Sequence, residues 1–197
     1  MTGTGYAALD ASHDALRTVV GALAATDLDR PTPCTEWTVA QVLRHAAGDQ
    51  IGYAAFLGAG PGPDEDPFAP SPTPPQDPKA HLEQALTRSA AAWAAVAPDT
   101  EEVAVPVPPN KLSARVGAGA CALDAAVHAW DIAMAAGRPS PLTPELSAEL
   151  LEVARQIVEP LRQYGVYAAE LAPQPGDDAA AELLRYLGRD PRWTADR

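Results

Sequence analysis

The stretch Leu123-Asp-Ala-Ala-Val-His-Ala-Trp-Asp131 constrains this chain more than any other. Read as a helix, it stacks Asp124 and His128 one turn apart on one face, and Asp131 continues the same stripe. Every other position in the stretch is apolar. A carboxylate and an imidazole buried inside an apolar helix are costly unless something pairs with them. A divalent metal is one such partner. A buried Asp–His ion pair that orders the core is the other.

The rest of the composition favours helices. Hydrophobic residues make up 47% of the 197 residues, enough for one domain with a substantial core. Alanine is abundant and phenylalanine scarce, which suits helices packed closely over small side chains. The net charge of −12, with no Lys/Arg cluster, argues against non-specific nucleic-acid binding and against an anionic membrane surface. No stretch approaches the roughly 18 apolar residues of a membrane span. Cys34 and Cys121 are far apart, no CxxC occurs, and the first ten residues lack a charged start and an apolar run. The expectation is a cytoplasmic protein with reduced thiols.

Periodicity places five long helices and a short one. Leu9, Leu16, Val19, Val20 and Leu23 give a helical stripe over 6–26, with His13 read as a surface or partly buried histidine. Thr38 with Gln41 fits a capping box that starts a second helix. His45 lies beside that helix's apolar stripe, Gly48 and Gly52 leave room after it, and Trp37 before it reads as core packing. Residues 58–78 are rich in Gly, Pro and Asp and read as a flexible connection, with a lid over a site as the alternative. Asp77-Pro78 opens a third helix that runs to Ala97. Residues 98–115 allow a short edge strand at most. The fourth helix covers about 115–136, and Gly137 and Pro139 end it. Thr143-Pro-Glu-Leu opens a fifth, which Pro160 is expected to break or kink, and Asp177 is expected to cap the last. The fold class is all-α: an antiparallel four-helix bundle with additional C-terminal helices, in a single domain over 1–197.

Bundle sites form in the core from residues on facing helices. His45 from the second helix with Asp124 and His128 from the fourth make two histidines and one carboxylate, a set that binds a divalent metal and leaves positions open. Asp131 reads either as a carboxylate orienting a ligand histidine or as a helix-packing residue. No Gly-rich phosphate loop and no GxSxG occur. Cys34 lacks a base beside it in sequence and reads as a buried or site-lining thiol. Arg44 and Arg115 are candidate carboxylate binders, with a solvent-facing position the simpler reading for both.

Three ordered motifs carry a family resemblance. Pro31-Thr-Pro-Cys-Thr-Glu-Trp-Thr-Val-Ala-Gln-Val-Leu-Arg-His45 resembles the opening of the actinobacterial mycothiol-dependent maleylpyruvate isomerase N-terminal-domain proteins, within the DinB/YfiT-like superfamily. The Leu123 to Ala133 stretch looks like that family's second metal motif, and Leu184-Arg-Tyr-Leu-Gly-Arg-Asp-Pro-Arg-Trp193 resembles the tail of a single-domain subgroup. The resemblance implies a DinB-like bundle and a divalent metal on His45, Asp124 and His128, zinc first, with nickel or iron as alternatives. Many relatives carry Glu where this chain has Asp124. The resemblance further implies mycothiol or another small thiol as co-substrate, activated as thiolate for attack on an electrophilic small molecule. The isomerase itself has an additional C-terminal domain, for which this chain is too short, so isomerisation of maleylpyruvate as such is not expected.

The leading expectation is a thiol S-transferase whose partners are a small-molecule thiol and an electrophilic substrate, with no nucleic acid or membrane partner. A homodimer is compatible with it. A non-catalytic, metal-containing binding or sequestration protein is the alternative, and a non-haem iron enzyme a third reading.

Overall fold

The computed structural model describes residues 3–195. Among them six α-helices account for nearly all regular structure: α1 (Ala7–Gly21), α2 (Val39–Phe56), α3 (Pro78–Ala94), α4 (Ala114–Ala135), α5 (Pro144–Gln163) and α6 (Ala179–Tyr186). A 3-10 turn at Ala25–Asp27 follows α1, so the first helix stops short of the expected residue 26. No helix among the described residues is long and apolar enough to cross a membrane.

The centre is α4. It is apolar nearly all round, and 18 of its 22 residues are buried, so it has no solvent face to speak of. It divides the core in two. Leu123, Val127 and Trp130 face Leu150, Ile157 and Leu183 of α5 and α6. Ala125, Ala129 and Ile132 face Leu16, Leu43 and Leu86 of α1, α2 and α3. The polar stripe of Asp124, His128 and Asp131 runs along the seam between these clusters. Close approach depends on small residues: a Cβ on Gly119 would lie 2.6 Å from Val153 Cγ2 of α5.

Local chemistry sets the helix starts. Thr38 accepts a hydrogen bond from the Gln41 amide while the Gln41 side chain accepts from Thr38, the expected capping box. Asp77 caps α3 ahead of Pro78, and Thr143 caps α5 ahead of Pro144.

Three expectations are corrected. Pro160 does not break α5, which continues to Gln163. The ring is exposed, and the bond it removes belongs to the exposed turn of Gln156, while Ile157, Val158 and Leu161 stay buried on the other face. The cap of α6 is Asp178, whose side chain accepts from Ala181 N at 2.8 Å. Asp177 instead binds Arg185 Nε at 2.6 Å. Finally, the segment before α4 forms two short antiparallel strands, β1 (Val103–Ala104) and β2 (Lys111–Leu112), rather than one edge strand.

Candidate metal centre

α2 and α4 face one another across the bundle and bring His45 to the Asp124/His128 pair. His45 Nε2 lies 3.4 Å and His128 Nε2 3.3 Å from the same oxygen, Asp124 Oδ1. The imidazole rings stand nearly perpendicular, at 85°, with centroids 4.6 Å apart. One donor atom from each of the three residues lies within 4.8 Å of the others.

The opposite ring nitrogens are held from behind. His45 Nδ1 donates to the Pro67 carbonyl at 2.8 Å, and His128 Nδ1 to Asp131 Oδ2 at 2.9 Å. A carbonyl and a carboxylate only accept, so both Nδ1 atoms carry a proton, and both Nε2 atoms face inward toward Asp124. Asp131 is fully buried and is gripped by Arg189, Nε to Oδ1 at 2.9 Å and Nη2 to Oδ2 at 2.8 Å.

The charges along this row oppose the effect of burial. Burial alone would raise the Asp124 carboxyl, but His128 foremost and then His45 hold it well below the usual range. Burial would lower His128, yet Asp124 and then Asp131 push it up to about 10. Burial would raise Asp131, and Arg189 with His128 holds it down. Asp49, one turn after His45, is raised to about 7, first by burial and then by Asp124.

Asp124 Oδ2 is buried without a hydrogen-bond partner. An orphaned carboxylate oxygen beside two inward-facing imidazole nitrogens is the donor set a divalent cation fits, the imidazoles giving up their Nε2 protons on binding it. His45, Asp124 and His128 are therefore the residues that would hold one.

These groups border a cavity of about 300 Å³. Tyr53, Val127, Ile157, Leu161 and Tyr164 form much of its wall. A second cavity, of about 800 Å³, shares Cys34, Trp37, Phe68, Tyr164, Tyr167 and Arg189 with the first.

Several sequence readings change here. The Asp131 side chain meets His128 and Arg189, the contact its orienting reading requires. The 58–78 segment is laid onto the bundle rather than hanging free: Arg88 Nε binds Ala59 O at 2.7 Å, Arg44 Nε binds Thr73 O at 2.8 Å and Gln41 Nε2 binds Pro70 O at 3.2 Å. These bonds set Pro67 and Phe68 against His45, the Phe68 ring 5.7 Å away edge-on. A Cβ on Gly48 would come within 3.1 Å of Pro67, so the loop seats flush only over glycine. Trp37 packs against the core as expected and also lines both cavities, its ring centroid 4.7 Å from that of His45. His13 is buried, not superficial. Arg44 pairs with Glu65, and Arg115 is exposed. Both cysteines are free, and Cys34 lines both cavities.

Sequence reading missed Asp49, although its i,i+4 spacing from His45 repeats the Asp124/His128 logic and carried the signal. It also missed Arg189, 58 residues from its partner, and the Pro67 carbonyl, which no side-chain pattern announces.

Residues 9–133 match the family described as mycothiol maleylpyruvate isomerase N-terminal domain. Uncharacterized proteins from two strains of Mycobacterium tuberculosis are 31% identical over 191 residues, covering 92% of this chain and 95% of theirs. A crystal structure of a mutant of the mycothiol-dependent maleylpyruvate isomerase superposes with a TM-score of 0.53 at 14% identity, over 77% of this chain and 72% of that one. At that identity the likeness is one of fold.

Proposed function

Because the chain belongs to the mycothiol maleylpyruvate isomerase N-terminal domain family, we propose that it is a metal-dependent S-transferase that joins a small thiol to an electrophilic small molecule. The observation that carries the reading is the convergence of His45 Nε2, His128 Nε2 and an unpartnered Asp124 oxygen at the edge of an apolar cavity. When bound there, a divalent metal supplies the Lewis acidity that keeps a thiol as thiolate at neutral pH. Zinc suits two imidazoles and a carboxylate and needs no redox partner. Mycothiol, the thiol in the family's name, is the first candidate co-substrate.

The chain's own residues do the rest. Asp131 and the Pro67 carbonyl fix the two imidazoles in the tautomer that presents Nε2. Asp49 borders the same space, its Oδ2 3.9 Å from His45 Nε2, and offers a hydrogen-bond acceptor to an incoming S–H. The apolar wall keeps water from competing with sulfur for the electrophile. Overall a C–S bond forms, the bond to the leaving group breaks, and the thiol proton passes to solvent.

The test combines metal analysis of the purified protein with thiol conjugation. Zinc-loaded wild type is compared with His45→Ala and His128→Ala, using mycothiol and a bimane electrophile. Loss of metal and of conjugation in both variants is expected. Equal rates in all three proteins would overturn the transferase reading. Binding heats without turnover would instead favour a sequestration role.

A further inference from the structure

Two cavities and one guanidinium decide which electrophiles this site accepts. Arg189 is the one arginine or lysine among the described residues that lines either cavity. Two of its nitrogens are already committed to Asp131, at 2.9 and 2.8 Å. Against it stand Asp49 and Asp124 on the inner cavity and Glu36 on the outer one. Arg44, the nearest other candidate in sequence, is held by Glu65 and the Thr73 carbonyl. A divalent cation would only balance the three aspartates less the one guanidinium, and a bound thiolate would leave the site with excess negative charge. Were Asp49 neutral, the thiolate would still bring the balance no higher than zero.

A substrate carboxylate entering this space finds no free guanidinium fork and must shed its water against carboxylates. The walls offer the opposite welcome. Tyr53, Val127, Ile157 and Leu161 present apolar surface, and Phe68 and Tyr164 add aromatic faces. The volume of about 300 Å³ suits a single substituted ring.

We infer that the inner cavity selects an uncharged, ring-sized apolar electrophile and rejects carboxylates. For the reaction, this inference rests on the transferase reading; for binding, it stands on cavity and charge alone. A dianion such as maleylpyruvate is disfavoured on the same ground. With an aryl chloride, the thiolate sulfur attacks the ring carbon, the C–S bond forms, and the C–Cl bond breaks with chloride leaving on its electron pair. The thiol proton goes to water.

The experiment uses the full-length zinc-loaded chain and two matched pairs. Inert dinitrotoluene and dinitrobenzoate are titrated calorimetrically. Reactive chlorodinitrobenzene and chlorodinitrobenzoate are turned over with mycothiol, corrected for the uncatalysed rate. The neutral member of each pair is expected to be favoured roughly tenfold or more. Val127→Phe, which fills the cavity, is expected to abolish dinitrotoluene binding. Tyr164→Arg, at an exposed wall position that tolerates substitution, supplies the missing cation and is expected to narrow or reverse the preference. Carboxylate binding equal to or tighter than neutral binding, or neutral binding unaffected in a folded Val127→Phe protein, would overturn the inference. A charge preference in binding without any turnover supports it and removes the transferase reading. Turnover without a charge preference does the reverse.

Discussion

Arg189 and Asp131 form a two-pronged ion pair, Nε to Oδ1 at 2.9 Å and Nη2 to Oδ2 at 2.8 Å, and the same Oδ2 accepts from His128 Nδ1 at 2.9 Å. Arg189 lies outside the family-matched segment 9–133, so a residue of the C-terminal region reaches back to brace a candidate metal ligand. Removing it leaves a fully buried carboxylate without its cation. Arg189→Met is expected to destabilise the metal-free protein by about 3–5 kcal/mol in denaturant unfolding. It should also weaken zinc binding roughly 10- to 100-fold in chelator competition. Arg189→Lys should fall between, since an ammonium cannot reproduce the fork.

Gln50 holds the four bundle helices at one atom. Its Oε1 accepts from His13 Nε2 at 2.8 Å, Ser89 Oγ at 2.7 Å and Cys121 Sγ at 3.1 Å. Its Nε2 donates to the Cys121 carbonyl at 3.1 Å. These partners sit on α1, α3 and α4. Gln50→Leu keeps the approximate shape and removes the acceptor shared by three buried donors, leaving only Ser89 Oγ and Cys121 Sγ, 3.6 Å apart, to pair with each other. It is expected to lower stability by about 3 kcal/mol or more, read from the unfolding midpoint at constant slope.

His13 makes stability depend on pH. Burial holds its pKa below the ordinary histidine value, outweighing the Gln50 hydrogen bond. The unfolded chain takes up a proton near pH 6.5 and the folded chain does so only at lower pH. This contribution is therefore fully present above about pH 6.5 and is lost as the pH falls, with a limiting slope of about 1.4 kcal/mol per pH unit. His13→Gln should flatten the fall between about pH 7 and 5 relative to wild type. An unchanged slope in urea titrations across that range would refute the assignment.

Two glycines one turn apart in α2 should respond differently to alanine. Nothing lies within 4 Å of a Cβ built on Gly52, whereas one on Gly48 meets Pro67 Cγ at 3.1 Å. Gly52→Ala is expected to gain about 1 kcal/mol from helix propensity alone. Gly48→Ala should gain little or nothing, and Gly48→Val should lift Pro67 from His45. Paired unfolding curves decide this.

The bundle and its three donors were legible because their signals are local. Caps such as Thr38/Gln41 and Asp77-Pro78 announce helix starts, and Asp124/His128 spacing announces a shared face. Pro160 misled because a proline's effect on a helix depends on whether its turn faces solvent, which only packing decides. Asp49 was readable by the rule already applied to Asp124 and was passed over. Arg189 and the Pro67 carbonyl were not readable from pattern: one comes from another part of the chain, and the other is a backbone group in an irregular loop.

That carbonyl ties the 58–78 loop to His45, and the tie works in both directions. Any free energy by which a bound cation favours the inward-facing tautomer of His45 is also free energy that holds Pro67 down. Reciprocity then requires that whatever lifts the loop, such as a bulky ligand wedged beneath Phe68, loosens the cation to the same degree. Lifting the loop and releasing a cation held there would thus be one thermodynamic quantity seen from two ends.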